Sequence, residues 1–245
     1  MNNNISRLGD VLLLLAAIAI LVMAVATFGA RFGLWEAVAG YSFIRSYLTP
    51  VGFSVIGVSV AGLVYLMIKG QRRAMIKAGT ACLIGLLLLA PMIATHVKAS
   101  VKTPRIYDVT TDTVNPPPFL VLDDTRPEAK NSLVYGGPEV AALQKEAYPD
   151  ILPIMTGLSA EDAFSKALGV AQDMGWEIVA QDPAALRYEA ISYTPVFYFP
   201  DDIVVRVTAE GSGSRVDIRS VSRIGKNDQG ANAARIRKFI ENFQG

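Results

Sequence analysis

Three long apolar runs, residues 11–30, 51–68 and 78–95, open the chain, and alternating strand-like segments close it. Each run holds 18–20 residues. That is enough for a helix rising about 1.5 Å per residue to cross a hydrocarbon core of roughly 30 Å. We therefore read residues 1–97 as a transmembrane region of three helices. Residues 32–47, carrying Trp35, Tyr41, Phe43 and Tyr47, read as an interfacial segment between the first two spans. Ser54, Gly57 and Ala61 form a stripe of small residues that suits close helix approach, and Pro91 predicts a kink in the third span.

Past the last span the pattern changes. Residues 98–130 are rich in Thr and Pro and include Pro116-Pro117-Pro118, which favours an extended, stiff conformation. Ser159-Ala-Glu161-Asp162 opens a helix with Ala163, Phe164, Ala167, Leu168, Ala171 and Met174 on its apolar face, and Gly175 stops it. Strands follow at 176–180, 186–194, 203–209 and 214–223, the last two joined across Gly211-Ser212-Gly213. A final helix begins near Asp228 or Gly230 and buries Ile236, Phe239 or Ile240, and Phe243. The expected fold is a membrane α-helical region plus an α+β soluble domain over residues 131–245. Its sheet is four-stranded and mostly antiparallel, with helices on one face.

Charge divides along the same boundary. Up to Thr95 there are seven Lys and Arg against only Asp10 and Glu36. From His96 onward 16 Lys and Arg face 20 Asp and Glu. A mildly acidic domain is a poor phosphate neutraliser, so no nucleic acid partner is expected. The short segments Arg7 and Lys69–Lys77 carry five basic residues, and the intervening loop carries two, Arg31 and Arg45. The positive-inside rule then puts the N-terminus and the Lys69–Lys77 loop in the cytoplasm. The C-terminal domain lies on the opposite side, in the periplasm of a bacterial inner membrane.

Cys82 is the only cysteine and His96 the only histidine, so no intrachain disulfide, thiolate zinc site or histidine triad is available. No metal and no cofactor is expected. The doublets Asp123-Asp124 and Asp201-Asp202 do not chelate as pairs, because adjacent strand residues point to opposite faces. No nucleophile elbow or phosphate loop occurs, and no catalytic residue is assigned.

Alternation sorts the last strands into two faces. Ile203, Val205, Val207, Val216 and Ile218 turn to the helices. Asp202, Arg206, Arg215, Asp217, Arg219 and Arg223 turn away, with Arg187 and Glu189 joining them. Such a face is either a solvated lattice of cross-strand pairs or an Arg-lined docking surface. The helix start at Asp228 and Asn232, with Arg235, could add amide donors to it or simply cap the helix. The candidate ligand- or partner-binding residues are thus Asp202, Arg206, Asp217, Arg219, Arg223, Asp228, Asn232 and Arg235.

The block Asp201-Asp202, Arg206, Asp217-Ile-Arg219-Ser220-Val-Ser222-Arg223-Ile-Gly225, Asp228-Gln-Gly230-Ala-Asn232 and Arg235-Ile236 resembles the bacterial and plastid family called domain of unknown function 1499. Pro104-Arg-Ile106-Tyr107-Asp108-Val-Thr-Thr111-Asp112 and Pro116-Pro117 extend the likeness, which covers about residues 104–243. The family often has His at the place of Tyr107 and Ser at that of Asn227. The resemblance implies that residues 98–130 pack on the domain and that the domain lies outside the cytoplasm; it implies no activity. The expected function is a membrane-anchored extracytoplasmic binding or accessory module. It would use the Arg-rich face to dock a membrane or periplasmic protein or an anionic ligand. The alternatives are an envelope enzyme using Asp108, Asp112, Asp202 and Asp217 on a small or lipid-derived substrate, and a structural subunit packing through the Ser54 stripe.

Overall fold

The computed structural model describes residues 3–98 and 103–245, apart from the side chains of residues 3, 4, 6 and 93–98, so the reading of His96 lies outside the described residues. Two compact units result. One is the helices up to Lys98 together with Val196–Tyr198, and the other is the chain from Thr103 onward without those three residues.

In the first unit α1 (Asn3–Phe28), α2 (Ala37–Ile68) and α3 (Arg72–Lys98) are three helices long and apolar enough to cross a membrane. The start of α2 corrects the expectation for residues 32–47. Tyr41, Phe43 and Tyr47 lie on the helix rather than in an interfacial loop, and Pro50 sits inside it. Proline marks a probable boundary in water, but a membrane-spanning helix tolerates it where neighbours take up the freed carbonyl. The helices close on a different set of small residues from the stripe Ser54, Gly57 and Ala61, which faces outward. A Cβ on buried Gly62 would run into the Leu12 side chain, and one on Gly9 would fall 2.6 Å from the backbone oxygen of Ala74. Only residues without a side chain allow such approach. Lys77 of α3 pairs with Asp10 of α1.

The second unit is built on a sheet of six strands rather than four, all antiparallel: β1 (Asp108–Thr110), β2 (Ile154–Thr156), β3 (Glu177–Asp182), β4 (Arg187–Tyr193), β5 (Pro200–Glu210) and β6 (Gly213–Ser222), in the order β1-β6-β5-β4-β3 with β2 also on β6. The additional strands β1 and β2 are three residues each. That is too short for an alternation to register. They share one edge of β6, at Arg219–Val221 and Ser214–Val216. The other edge of β6 pairs along its whole length with β5 across a two-residue turn, where Gly211 adopts φ +60°. β4 and β3 complete the order.

Helices α5 (Ala160–Asp173) and α6 (Ala231–Gln244) cover one face, burying Phe164, Ala167, Ala171, Ile236, Phe239 and Phe243 against Ile203, Val205, Val207, Val216 and Ile218. Ser159 caps α5 by accepting from the Asp162 amide at 3.1 Å, and Trp176 stacks on Phe239 with centroids 5.3 Å apart. α4 (Gly137–Ala147) lies beside β1, where Gln144 substitutes for a neighbouring strand: its amide donates to the Thr110 carbonyl and accepts from the Thr110 amide.

Candidate functional site: a charged sheet face under a strap

Period two places Asp202 and Arg206 of β5, Arg215, Asp217 and Arg219 of β6, and Arg187 and Glu189 of β4 on the face away from the helices, with Arg223 just past β6. The sequence predicts a solvated lattice or an open docking surface there. The structure instead closes this face with residues 111–135, a strap without regular secondary structure. Asp202 is 0% exposed, Asp217 1%, Arg219 2% and Arg223 4%. The face is an interior.

Four sets of polar contacts fasten the strap, and each satisfies a charge that burial would otherwise strand. Asp202 is held between Arg126 of the strap and Arg223, whose Nε and Nη2 donate to it at 2.9 and 2.7 Å. The same two guanidiniums donate to strap carbonyls, Arg126 to Asp123 and Asn131, Arg223 to Pro127. Arg219 grips Asp108 with Nε and Nη2 at 3.0 and 2.7 Å and donates to the carbonyls of Pro117 and Leu133. Its guanidinium carbon lies 5.4 Å from the ring centroids of both Phe119 and Tyr135, which flank it as cation–π partners. Glu189, 1% exposed, accepts from three consecutive strap amides, Leu120, Val121 and Leu122, at 2.6–3.2 Å, and from Arg187. Asp217 receives Arg206, Arg215 and the Thr111 hydroxyl, while Arg215 also reaches Asp112 at 2.7 Å.

Burial and pairing pull these carboxyls in opposite directions. Burial pushes Asp108 up, against the hydrogen bonds and charge of Arg219. Burial pushes Asp112 up as well, but the amides of Asn115 and Val114 and the charges of Arg215 and Arg206 outweigh it and leave the carboxyl below the usual range.

Over residues 108–243 the chain matches the family described as Protein of unknown function (DUF1499), more than half its length. It belongs to that family. No curated protein matches the chain. The family match opens on Asp108, the partner of Arg219, and so takes in the whole strap and every charge beneath it, while the three membrane-length helices stand outside.

Three residues expected at this site are elsewhere. Asp228, Asn232 and Arg235 lie on the helix side of the sheet. There Asn232 accepts from Ser220 and Arg235 and donates to Ser222 and the Tyr107 carbonyl, and Arg235 pairs with Asp201. Asp228 accepts from the amides of Gly230 and Asn232, capping α6 from ahead of its Gly230 N-cap. Asp201 and Asp202 thus point to opposite faces, and burial pushes the Asp201 carboxyl up although Arg235 opposes it. Sequence reasoning missed Arg126, Phe119 and Tyr135 altogether. An arginine followed by proline in a polar stretch gives no sign of being buried. Among the described residues no group of His, Cys, Asp and Glu is arranged to hold a metal.

Two buried polar atoms here lack a hydrogen-bond partner among the described residues, Arg206 Nε and the Tyr135 hydroxyl. The hydroxyl is closed to solvent. Burial, assisted by the Asp108 charge and opposed by Arg219, pushes it up to about 12. A phenol that stays protonated in the fold but ionises at about 10 when unfolded contributes stability that is intact below pH 10 and lost as pH rises toward 12. We expect the ring-carbon resonance of labelled Tyr135, assigned by its loss in Tyr135→Phe, to titrate more than one unit above an ordinary tyrosine. A midpoint near 10 would show that the hydroxyl is hydrated.

Proposed function

We propose that this protein is a membrane-anchored accessory module of the bacterial inner membrane. Its domain stands outside the cytoplasm and docks a protein partner through the strap that the Arg-rich face holds in place. One observation carries the reading: charged groups fix the strap from below, while its outer side presents large apolar side chains to solvent. Val114 is 75% exposed, Leu120 69%, Val121 63% and Val134 76%. Four large apolar side chains exposed on one anchored segment suit an interaction surface.

The carboxylates that an enzyme would use argue the same way. Asp108, Asp112, Asp202 and Asp217 each hold at least one guanidinium, which suits a scaffold better than proton transfer. Nor does the face offer an anion unbalanced positive charge, since Arg206 and Arg215, its most accessible arginines, face two carboxylates, Asp217 and Asp112.

The test is a photo-crosslinking amino acid placed at Leu120 of the full chain in intact cells, with one at Asp173 of α5 as control. A discrete protein adduct from position 120 alone is the expected result. Adducts at both positions, or none at 120, would overturn docking through the strap. The orientation is checked by a reporter active only outside the cytosol, fused after Gly245, which should be active.

A further inference from the structure

The ring of Tyr135 is a wall shared by two grooves. One, about 550 Å³, runs past Pro116, Phe119, Leu122 and Arg219 and carries Asp123 and Asp124. The other, about 470 Å³, runs past Val114, Pro138 and Ala141 and carries Lys145. Each falls within the size range of ligand clefts. We propose that the two together form one cleft for an extended peptide segment of a partner protein, apolar in its middle, with a basic residue seated at Asp123–Asp124 and an acidic residue or chain terminus at Lys145. This deepens, and rests on, the reading of the domain as a docking module.

Three independent features point to a peptide. The polar positions of the grooves have opposite charge. Hydrogen bonds from Thr125 to Asp123, and from the Leu133 amide and Ser132 to Asp124, hold both carboxyls below the usual range, so that both are ionised. Lys145 has no ion-pair partner among the described residues and is exposed. A ligand with a single charged head would satisfy only one end, whereas a peptide carries opposite charges a few residues apart. At the shared wall the Tyr135 hydroxyl lacks a partner and is closed to solvent, so a ligand meets it once the ring turns outward. An extended backbone presents a carbonyl or an amide about every 3.3 Å and can meet a hydroxyl with either. Arg219, 2% exposed, lines the first groove as well. Four of its five N–H groups are used by Asp108, Pro117 and Leu133, leaving one on Nη1 without an acceptor among the described residues. The walls between are prolines, aliphatic side chains and the Phe119 and Tyr135 rings, the surface that extended, proline-containing segments favour. Gly136 and Gly137 follow Tyr135 directly, with Gly137 at φ +70°, and place no side chain in the way of a small turn of the ring.

The cleft is tested on the full chain in nanodiscs of zwitterionic phosphatidylcholine, which has no net charge, by fluorescence anisotropy of two labelled probes, Lys-Pro-Leu-Val-Pro-Leu-Glu and Lys-Pro-Leu-Val-Pro-Leu-Lys. The wild type should bind the first about fivefold more tightly than the second. Lys145→Glu makes both ends acidic and should reverse that order whichever way the peptide runs. Tyr135→Phe keeps the ring and removes only the hydroxyl. It should weaken the first probe about fivefold while the domain unfolds at the same or a higher denaturant concentration, an outcome that a merely structural tyrosine would not give. If neither probe binds the wild type, if Lys145→Glu leaves the preference unchanged, or if Tyr135→Phe binds as the wild type does, the cleft is wrong. A protein adduct at Leu120, which lies in neither groove, together with failed peptide binding would sink the cleft and leave the docking reading standing. Absence of the adduct with peptide binding intact would sink docking through the outer side of the strap and place the docking in the cleft alone.

Discussion

Replacing Asp202 with Ala should lower the stability of the sheet domain by about 3–5 kcal/mol, a large share of the roughly 5–15 kcal/mol that a domain has. The carboxylate is wholly buried between Arg126 and Arg223, whose side chains are only 2% and 5% exposed. Removing it leaves two buried guanidiniums facing each other, with only the half-exposed Asp124, 3.4 Å from Arg126, as a remaining counter-charge. Both also anchor the strap, Arg126 through the carbonyls of Asp123 and Asn131 and Arg223 through that of Pro127. The contrast is Asp150, which pairs with Arg237 at comparable distances but with side chains 53% and 40% exposed. Exposed pairs contribute about 0–1 kcal/mol, so Asp150→Ala should be nearly silent. Denaturation of the full chain in detergent, followed by the fluorescence of buried Trp176, compares the two directly. A loss under 1 kcal/mol for Asp202→Ala would mean that the pocket admits water and that the face is not the interior described above.

Glu189→Gln should cost about 2–3 kcal/mol, and most of the damage should be local. The carboxylate accepts from the amides of Leu120, Val121 and Leu122 and from Arg187, and an ionised acceptor makes each bond stronger than a neutral one would. The substituted amide has one oxygen for these donors and adds two hydrogens that point at N–H groups. The strap should therefore lift over β4 before the sheet unfolds. Hydrogen exchange at residues 120–122 is expected to accelerate well beyond that of the β5–β6 pairing. Equal acceleration throughout would show that the strap and sheet open only together, and unchanged exchange would show that Glu189 does not hold the strap. Loss of crosslinking at Leu120 in this variant would connect the anchor to the docking surface that it presents.

Both predictions follow from chemistry that sequence patterning reached only halfway. The alternation of β5 and β6 identified Asp202, Arg206, Arg215, Asp217, Arg219 and Arg223 as companions on one face, and β4 adds Arg187 and Glu189 to it. Local periodicity suffices for that, because the direction of a strand side chain depends on its own backbone. The same kind of information located three membrane-length helices, the Ser159 cap and the apolar faces of α5 and α6.

What lies over a face is a different question, and its answer is written far away in the chain. Arg126 reaches Asp202 across 76 positions, and Asp108 meets Arg219 across 111. No period in residues 98–130 reveals which strap carbonyl ends above which guanidinium. The strands β1 and β2 are equally silent, since three residues become a strand only when β6 lies alongside. Asp228, Asn232 and Arg235 could be placed on the charged face until the path of the chain into α6 carried them to the other side of the sheet. Sequence by itself determined which way each side chain of the long strands points and which segments are apolar enough for lipid, because both depend on neighbours along the chain. Only the tertiary structure decided that the charged face is an interior, because burial is set by whatever segment folds back over it.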